Sequence, residues 1–152
     1  MSKRDHWIVR IADWQQDNEP LKHIRRQVFI KEQRVPEALE WDQYDETSTH
    51  FLAINPASGE PIGTARLLPD GQIGRMAVLR SWRGFGVGTS LLKMALNACT
   101  GTAYLHAQVH AIPFYVAHGF IISGKEFMEA GIPHQKMIRP AEHEGSNQTS
   151  GT

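Results

Sequence analysis

Apolar and polar positions along the first half of the chain fall into short runs that predict strands. Branched and aromatic residues concentrate in His6–Ile11, Thr49–Ile54 and Ile62–Leu68, which suits strands of ordinary length. Clusters of Pro, Asn, Asp and Gly separate the later runs from one another and predict turns between them. A fourth run, Ile73–Leu79, follows the last of these turns. The pattern therefore predicts an antiparallel meander.

The apolar period changes after the fourth run. From Val87 to Cys99 an apolar residue recurs at every fourth position, which predicts an amphipathic helix. An earlier apolar face, from Leu21 to Phe29, predicts a helix after Asn18. The remaining predicted elements are a fifth strand over Ala103–Val109, a short helix over Ile112–His118, and strands at Phe120–Ile122 and Gln135–Ile138.

This order of elements predicts an α/β (α+β) fold. Hairpin-linked strands followed by strand–helix–strand crossovers indicate a mixed, mostly antiparallel sheet of about six to seven strands, with helices on both faces. We expect a single domain over residues 1–140, because the length suits one core. Residues 141–152 lack large apolar side chains, so we expect a disordered C-terminal tail.

Composition narrows the classes of function. Lys and Arg together number 16, as do Asp and Glu, so the formal net charge is zero. Such a balance gives no electrostatic argument for binding nucleic acid or an anionic membrane. The one cysteine excludes an internal disulfide framework, and no apolar run approaches the roughly 20 residues of a membrane span. We therefore expect a cytoplasmic protein that binds neither nucleic acid nor membrane.

A glycine-rich junction joins the fourth strand to the amphipathic helix. Gly84, Gly86 and Gly88 follow Arg83 at alternate positions. A helix N-terminus offers unpaired N–H groups, and glycines let a ligand approach the backbone closely, so the junction predicts a phosphate cradle. Thr89 stands where a dinucleotide fingerprint needs its third glycine, and no G-K-S or G-K-T follows. The pattern that remains is R-x-x-G-x-G.

This motif resembles the pyrophosphate-binding element of the GNAT superfamily of N-acetyltransferases. The segments Arg26–Pro36, Phe114–Phe120 and Glu129–Met137 are similar to those of the ElaA-like (YjcF-like) branch of that superfamily. The resemblance extends over about Trp7–Arg139. It implies the GNAT fold, in which the fourth and fifth strands splay apart.

The resemblance also implies a co-substrate, acetyl-CoA, whose pantetheine arm enters the gap between the splayed strands. The acceptor would be an amine on a small molecule or a protein, no metal is implied, and homodimers are common among resembling proteins. The implied cofactor-binding residues are Met76, Ala77, Val78, Arg83, Gly84, Phe85, Gly86, Val87, Gly88, Thr89, Gln108 and Tyr115.

Acetyl transfer needs a polarised carbonyl, a proton donor for the thiolate and a base for the amine. We expect the Val78 N–H to face the carbonyl oxygen and Tyr115 to be the general acid. Glu32 and His134 lie in the branch-like segments and are the candidate bases that we prefer. No spacing selects them from the full set of Glu32, Glu40, Asp42, His50, His110 and His134. Without a clear base, a non-catalytic acyl-CoA-binding sensor or structural module stays open as the alternative.

The acidic segment Glu37–Glu46 carries five carboxylates and allows two interpretations. It is either a solvated loop or an acidic rim that attracts a cationic amine. A metal site is not indicated, because His106 and His110 lie on a strand and its end, where four residues span about 13 Å.

Overall fold

One mixed sheet organises residues 6–141, the part of the chain that the computed structural model describes. The strands are β1 (Ile8–Ala12), β2 (Thr49–Asn55), β3 (Glu60–Leu67), β4 (Gln72–Val78), β5 (Ala103–Gln108), β6 (Ile121–Ile122), β7 (Phe127–Glu129) and β8 (Ile132–Arg139). The helices are α1 (Asn18–Arg25), α2 (Glu37–Glu40), α3 (Val87–Ala98) and α4 (Ile112–Val116). The strand order is β1-β2-β3-β4-β5-β8-β6, with β7 also paired to β8.

Helices cover both faces of the sheet, as predicted. Phe51 and Ala53 of β2 pack in the same cluster as Leu91 of α3, whereas Leu52 packs with Leu21 of α1. Successive side chains of a strand point to opposite faces, so α1 and α3 lie on opposite sides of the sheet.

The predicted splay between β4 and β5 is confirmed. These parallel strands pair only at Gln72 with Tyr104 and at Ile73 with Leu105, and then separate. On its other side β4 stays paired with β3, but the register shifts between Thr64 and Arg66. Arg75 has a left-handed φ of 49° at this point, which marks a bulge on β4. The bulge bends β4 where it leaves β5.

A segment of π-helix continues α1 and ends at the cavity described below. It covers Arg26–Glu32, and the Gln33 N–H closes a five-residue turn onto the Val28 carbonyl. Pro36 follows shortly afterwards, in extended geometry, and opens α2. A π-helical turn changes the direction of the side chains that follow it, and such turns are frequent at functional sites.

The C-terminal part of the sheet differs from the sequence prediction. Strand β7 was not predicted, and β8 begins at Ile132, three residues before the strand predicted over Gln135–Ile138. Ala130 and Gly131, both with left-handed φ, form the tight connection of this hairpin. The sheet therefore has eight strands rather than six to seven. The predicted tail falls, from residue 142 onward, outside the described residues.

Cys99 and the lengths of the helices bear on what the composition led us to expect. Cys99 directly follows α3 in an extended conformation, and its partly exposed side chain packs against the main core cluster. Within residues 6–141, no helix combines the length and the apolar character needed to cross a bilayer.

Candidate active site

A cavity of about 820 Å³ lies where β4 and β5 separate. Its walls come from the π-helical segment, the two splayed strands, α4 and the β7–β8 hairpin. The residues predicted for the chemistry meet here although they are far apart in sequence. The wall includes Met76, Ala77, Val78, Arg83, Gln108, Tyr115, Glu32 and His134.

The backbone of Val78 turns toward this cavity. The N–H of the next residue, Leu79, bonds to the Ile62 carbonyl on the β3 side. Because successive N–H groups of an extended chain point to opposite sides, the Val78 N–H points away from β3 and toward the gap. The Val78 carbonyl points the same way, since it accepts a hydrogen bond from Arg83 Nε at 2.8 Å.

Tyr115 is the buried phenol of the site. It is 8% exposed, and its ring makes edge contacts with Phe114 and Phe120. Burial raises the pKa of Tyr115 to about 12. The hydroxyl is therefore protonated throughout the physiological range and can act only as a donor or as a neutral acceptor.

Arg83 pairs with Glu32 across the entrance of the cavity. Its Nη1 and Nη2 each lie 2.7 Å from an oxygen of that carboxylate. This contact is the main reason why the pKa of Glu32 is lowered and that of Arg83 raised. A carboxylate held in this way stays ionised and is a poor proton acceptor.

The glycine loop lies beside the cavity, and only its first residue, Arg83, is among the residues that line the cavity. Gly84 and Gly86 have left-handed φ values of 84° and 108°, which the turn into α3 requires. Gly88 has no such need, and a Cβ there would only touch Phe114 at 3.7 Å and Val78 at 3.9 Å. Packing therefore does not demand glycine at this position, whereas close approach of a ligand to the helix N-terminus would. This fits the predicted phosphate cradle.

His134 and Gln108 face each other in register on β8 and β5. His134 Nδ1 lies 2.7 Å from the Ile132 carbonyl, which can only accept, so this nitrogen carries the proton. In the neutral ring Nε2 then has a lone pair. Gln108 exchanges two side-chain hydrogen bonds with Gln33, so it ties β5 to the end of the π-helical segment.

A buried cluster of arginines and carboxylates forms the far wall, and the sequence prediction missed it. Arg25 bonds to Glu40 and Asp45, and Arg66 bonds to Asp42 and Asp45. Arg75, aimed by the bulge on β4, bonds to Asp42 and forms an ion pair with Glu40. Among the described residues, the Arg66 Nε is the one buried side-chain nitrogen or oxygen without a hydrogen-bond partner.

The acidic segment is thus neither a solvated loop nor an acidic rim at its central positions. Glu40 and Asp45 are 3% and 2% exposed, and three arginines pair with the three central carboxylates of the segment. Burial raises the pKa of Glu40 in spite of its arginine partners. Burial acts the same way on Asp45, but hydrogen bonds from Arg25 and Arg66 prevail and lower the pKa of that carboxyl.

A signal for this cluster is present in the sequence. Arg66 and Arg75 stand within otherwise apolar strands, and a buried cation needs a carboxylate partner. The acidic segment supplies three carboxylates.

Of the other base candidates, His50 is buried against the Asp45 carbonyl away from the cavity, whereas His110 lines the cavity. Residues 6–141 hold no group of three or more His, Cys, Asp or Glu side chains placed to bind a metal ion.

The split mixed sheet, with a glycine loop before α3 and a buried tyrosine at the split, is the arrangement that the resemblance implied. A family model described as the acetyltransferase (GNAT) domain matches residues 12–139. The chain belongs to this family.

Relatives place the chain beside the branch that the sequence resembles. It is 38% identical over 125 residues to the uncharacterised N-acetyltransferase YjcF of Bacillus subtilis, which covers 77% of this chain and 88% of that protein. The crystal structure of Escherichia coli ElaA superposes with a TM-score of 0.74 at 31% identity, covering 88% of this chain and 98% of ElaA. An acyl-CoA N-acyltransferase from Pseudomonas aeruginosa gives 0.75 at 29% identity, with coverage of 88% and 98%.

Proposed function

We propose that this protein transfers an acetyl group from acetyl-CoA to a primary amine, on a small molecule or a protein, in the cytoplasm. The observation that carries the proposal is that Val78, whose N–H faces the gap between β4 and β5, and Tyr115 both line one cavity beside the glycine loop. Bound acetyl-CoA would supply a thioester whose carbonyl carbon is open to attack by the amine.

The backbone residues take three roles in this proposal. The N–H groups of Gly84, Phe85, Gly86, Val87, Gly88 and Thr89 hold the diphosphate, because they form the loop and first turn of α3. The edge of β4 from Met76 to Val78, released from β5, pairs with the pantetheine arm. The Val78 N–H stabilises negative charge on the carbonyl oxygen. Gln108 is bonded to Gln33 and shapes the wall that the arm passes.

Tyr115 is the proposed general acid. Its pKa of about 12 keeps the proton on the phenol until charge develops on sulfur. A free thiol has a pKa of about 8.5. Complete transfer from this phenol would be unfavourable in water, but the same burial that raises the pKa of the phenol also disfavours a thiolate next to it. The hydrogen bond from Tyr115 therefore strengthens as the sulfur departs.

His134 is the proposed base for the amine. Its Nδ1 faces a carbonyl, so in the neutral ring the lone pair is on Nε2, which lies 4.0 Å from a Glu129 carboxylate oxygen. Glu32 is held ionised for as long as Arg83 pairs with it. Of the two bases that the sequence favours, the geometry thus supports His134.

The test is release of CoA thiol from acetyl-CoA in the presence of a panel of primary amines: a polyamine, amino-acid amides and a lysine peptide. For Tyr115→Phe we expect kcat to fall by about 10²-fold or more, while the Kd for acetyl-CoA changes less than about twofold. His134→Gln should also lower kcat at unchanged Kd. Tight acetyl-CoA binding with no thiol release for any amine would contradict transfer and support the alternative, a non-catalytic acyl-CoA-binding module.

A further inference from the structure

The ion pair between Arg83 and Glu32 joins the glycine loop to the π-helical segment. All three guanidinium nitrogens are engaged, because Nη1 and Nη2 contact the carboxylate and Nε contacts the Val78 carbonyl. The pair is partly exposed, with 39% of the Arg83 side chain and 26% of the Glu32 side chain accessible. Exposed ion pairs are typically worth about 0–1 kcal/mol, and more where the contact is bidentate as here, so this pair is weak compared with a buried one.

Arg83 also immediately precedes Gly84, the first glycine of the phosphate cradle. A diphosphate there carries more negative charge than a single carboxylate and suits the planar guanidinium fork. Two anions can therefore pair with the Arg83 guanidinium: the Glu32 carboxylate of the π-helical segment, and a diphosphate bound at the loop. Whatever favours one contact weakens the other.

We propose that Glu32 and the cofactor's diphosphate compete for Arg83, so that Arg83 gives up Glu32 when the donor binds and the Glu32 carboxylate is released into the cavity. This inference rests on the proposed function, since it assumes that CoA binds at the glycine loop. It places the negative charge of Glu32 in the cavity once the donor is bound, and it removes the contact that makes Glu32 a poor proton acceptor.

The other carboxylates of the cavity wall have no contact with Arg83 to give up. Glu40 and Asp42 are held by arginines of the cluster. Glu129 contacts two histidines, at 3.0 Å from His106 Nδ1 and 4.0 Å from His134 Nε2. After release, the remaining cation at Glu32 is Arg80, which lies 3.3 Å away and whose side chain is 80% exposed. Such a contact is weak and screened by salt. The class of ligand that the released carboxylate fits is a cationic amine.

The test is calorimetric titration of CoA, and of pantetheine, which lacks the diphosphate, into wild type, Glu32→Gln, Arg83→Gln and the double variant. Glu32→Gln should bind CoA up to about fivefold more tightly, because Arg83 no longer has a competing partner. Its affinity for pantetheine should not change. In the Arg83→Gln background the gain from Glu32→Gln should vanish. Glu37→Gln is the matched control, because Glu37 pairs with Arg26 and not with Arg83.

The outcomes of these titrations distinguish the proposal from its alternatives. An equal gain with and without Arg83 would mean simple repulsion between Glu32 and the phosphates and would overturn the proposal. An unchanged or weaker affinity of Glu32→Gln for CoA would overturn it as well, because the ion pair would then be part of the binding-competent shape. Failure of the wild type to bind CoA at all is a distinct outcome that removes the proposed function itself, and this inference with it.

Discussion

Two sets of arginine–carboxylate contacts flank the cavity, and they differ in burial rather than in chemistry. In the cluster at the far wall, Arg25 and Asp45 are 1% and 2% exposed and lie 2.8 Å apart. At the entrance, Arg83 and Glu32 make contacts just as short, but water reaches both side chains.

This difference in burial indicates which ion pairs stabilise the fold and which can take part in binding. Removing one partner of a buried pair leaves an uncompensated charge and costs about 3–5 kcal/mol. Removing one partner of an exposed pair lets water replace it and costs about 0–1 kcal/mol. We therefore regard the cluster as a rigid wall and the Arg83–Glu32 pair as an exchangeable contact.

The largest effect should come from Asp45→Asn. This variant removes the buried carboxylate that Arg25 and Arg66 share and leaves each arginine with one carboxylate partner instead of two, so we expect the free energy of unfolding to fall by about 3 kcal/mol or more. Equilibrium unfolding in urea measures this as a lower midpoint at an unchanged slope. A loss below about 1 kcal/mol would show that the cluster is no stronger than the entrance pair. Glu37→Gln, at an exposed pair, is the control.

A smaller effect is expected for the pH dependence of stability, which should have opposite signs for Asp45 and Glu40. The folded pKa of Asp45 is below the usual 3.8, so its stabilisation is present above that value and is lost as pH falls. The folded pKa of Glu40 is above the usual 4.5, so the stability that this carboxyl group contributes is fully present below pH 4.5 and is lost as the pH rises. The penalty of Asp45→Asn should therefore grow from pH 3 to 6, while that of Glu40→Gln should shrink from pH 4 to 7.

Unfolding free energies of these two variants and of wild type, measured across that range, check the prediction. Slopes of the same sign for both variants would contradict the opposite effects of burial and arginine contacts on the two carboxyl groups.

The smallest effect belongs to the entrance pair. Glu32→Gln should change the free energy of unfolding by less than about 1 kcal/mol, and the change should fade as salt is raised toward 1 M. Thermal unfolding at low and high salt measures both. A large loss that salt does not reduce would mean that this pair is a structural one, like those of the cluster.

Sequence reasoning was most successful where a local rule operates. The change from strand to helical period at Val87, with alternating glycines before it, predicts the loop and α3 because helix and strand periods differ. The resemblance to the GNAT superfamily adds the splay between β4 and β5, which comparison with known proteins and the observed pairing confirm.

It was least successful where distant segments meet. Glu37–Glu46 is acidic in sequence, but three of its five carboxylates pair with arginines from α1, β3 and β4, and composition does not show such contacts. Strand β7 was missed because its three residues are too few to show an alternating pattern. The choice between His134 and Glu32 likewise needed the contact with Arg83, which joins positions 51 residues apart.

Calorimetric titration of acetyl-CoA into wild type and Gly88→Asp tests directly whether the cleft binds acyl-CoA at the glycine loop. Gly88 has no left-handed φ, and a Cβ there makes only ordinary contacts, so the variant should fold. The aspartate places bulk and negative charge in the proposed cradle. We predict binding in the micromolar range for wild type and none for the variant, at similar thermal stability. Equal binding by both proteins, or none by wild type, would contradict the assignment of the cleft as an acyl-CoA site.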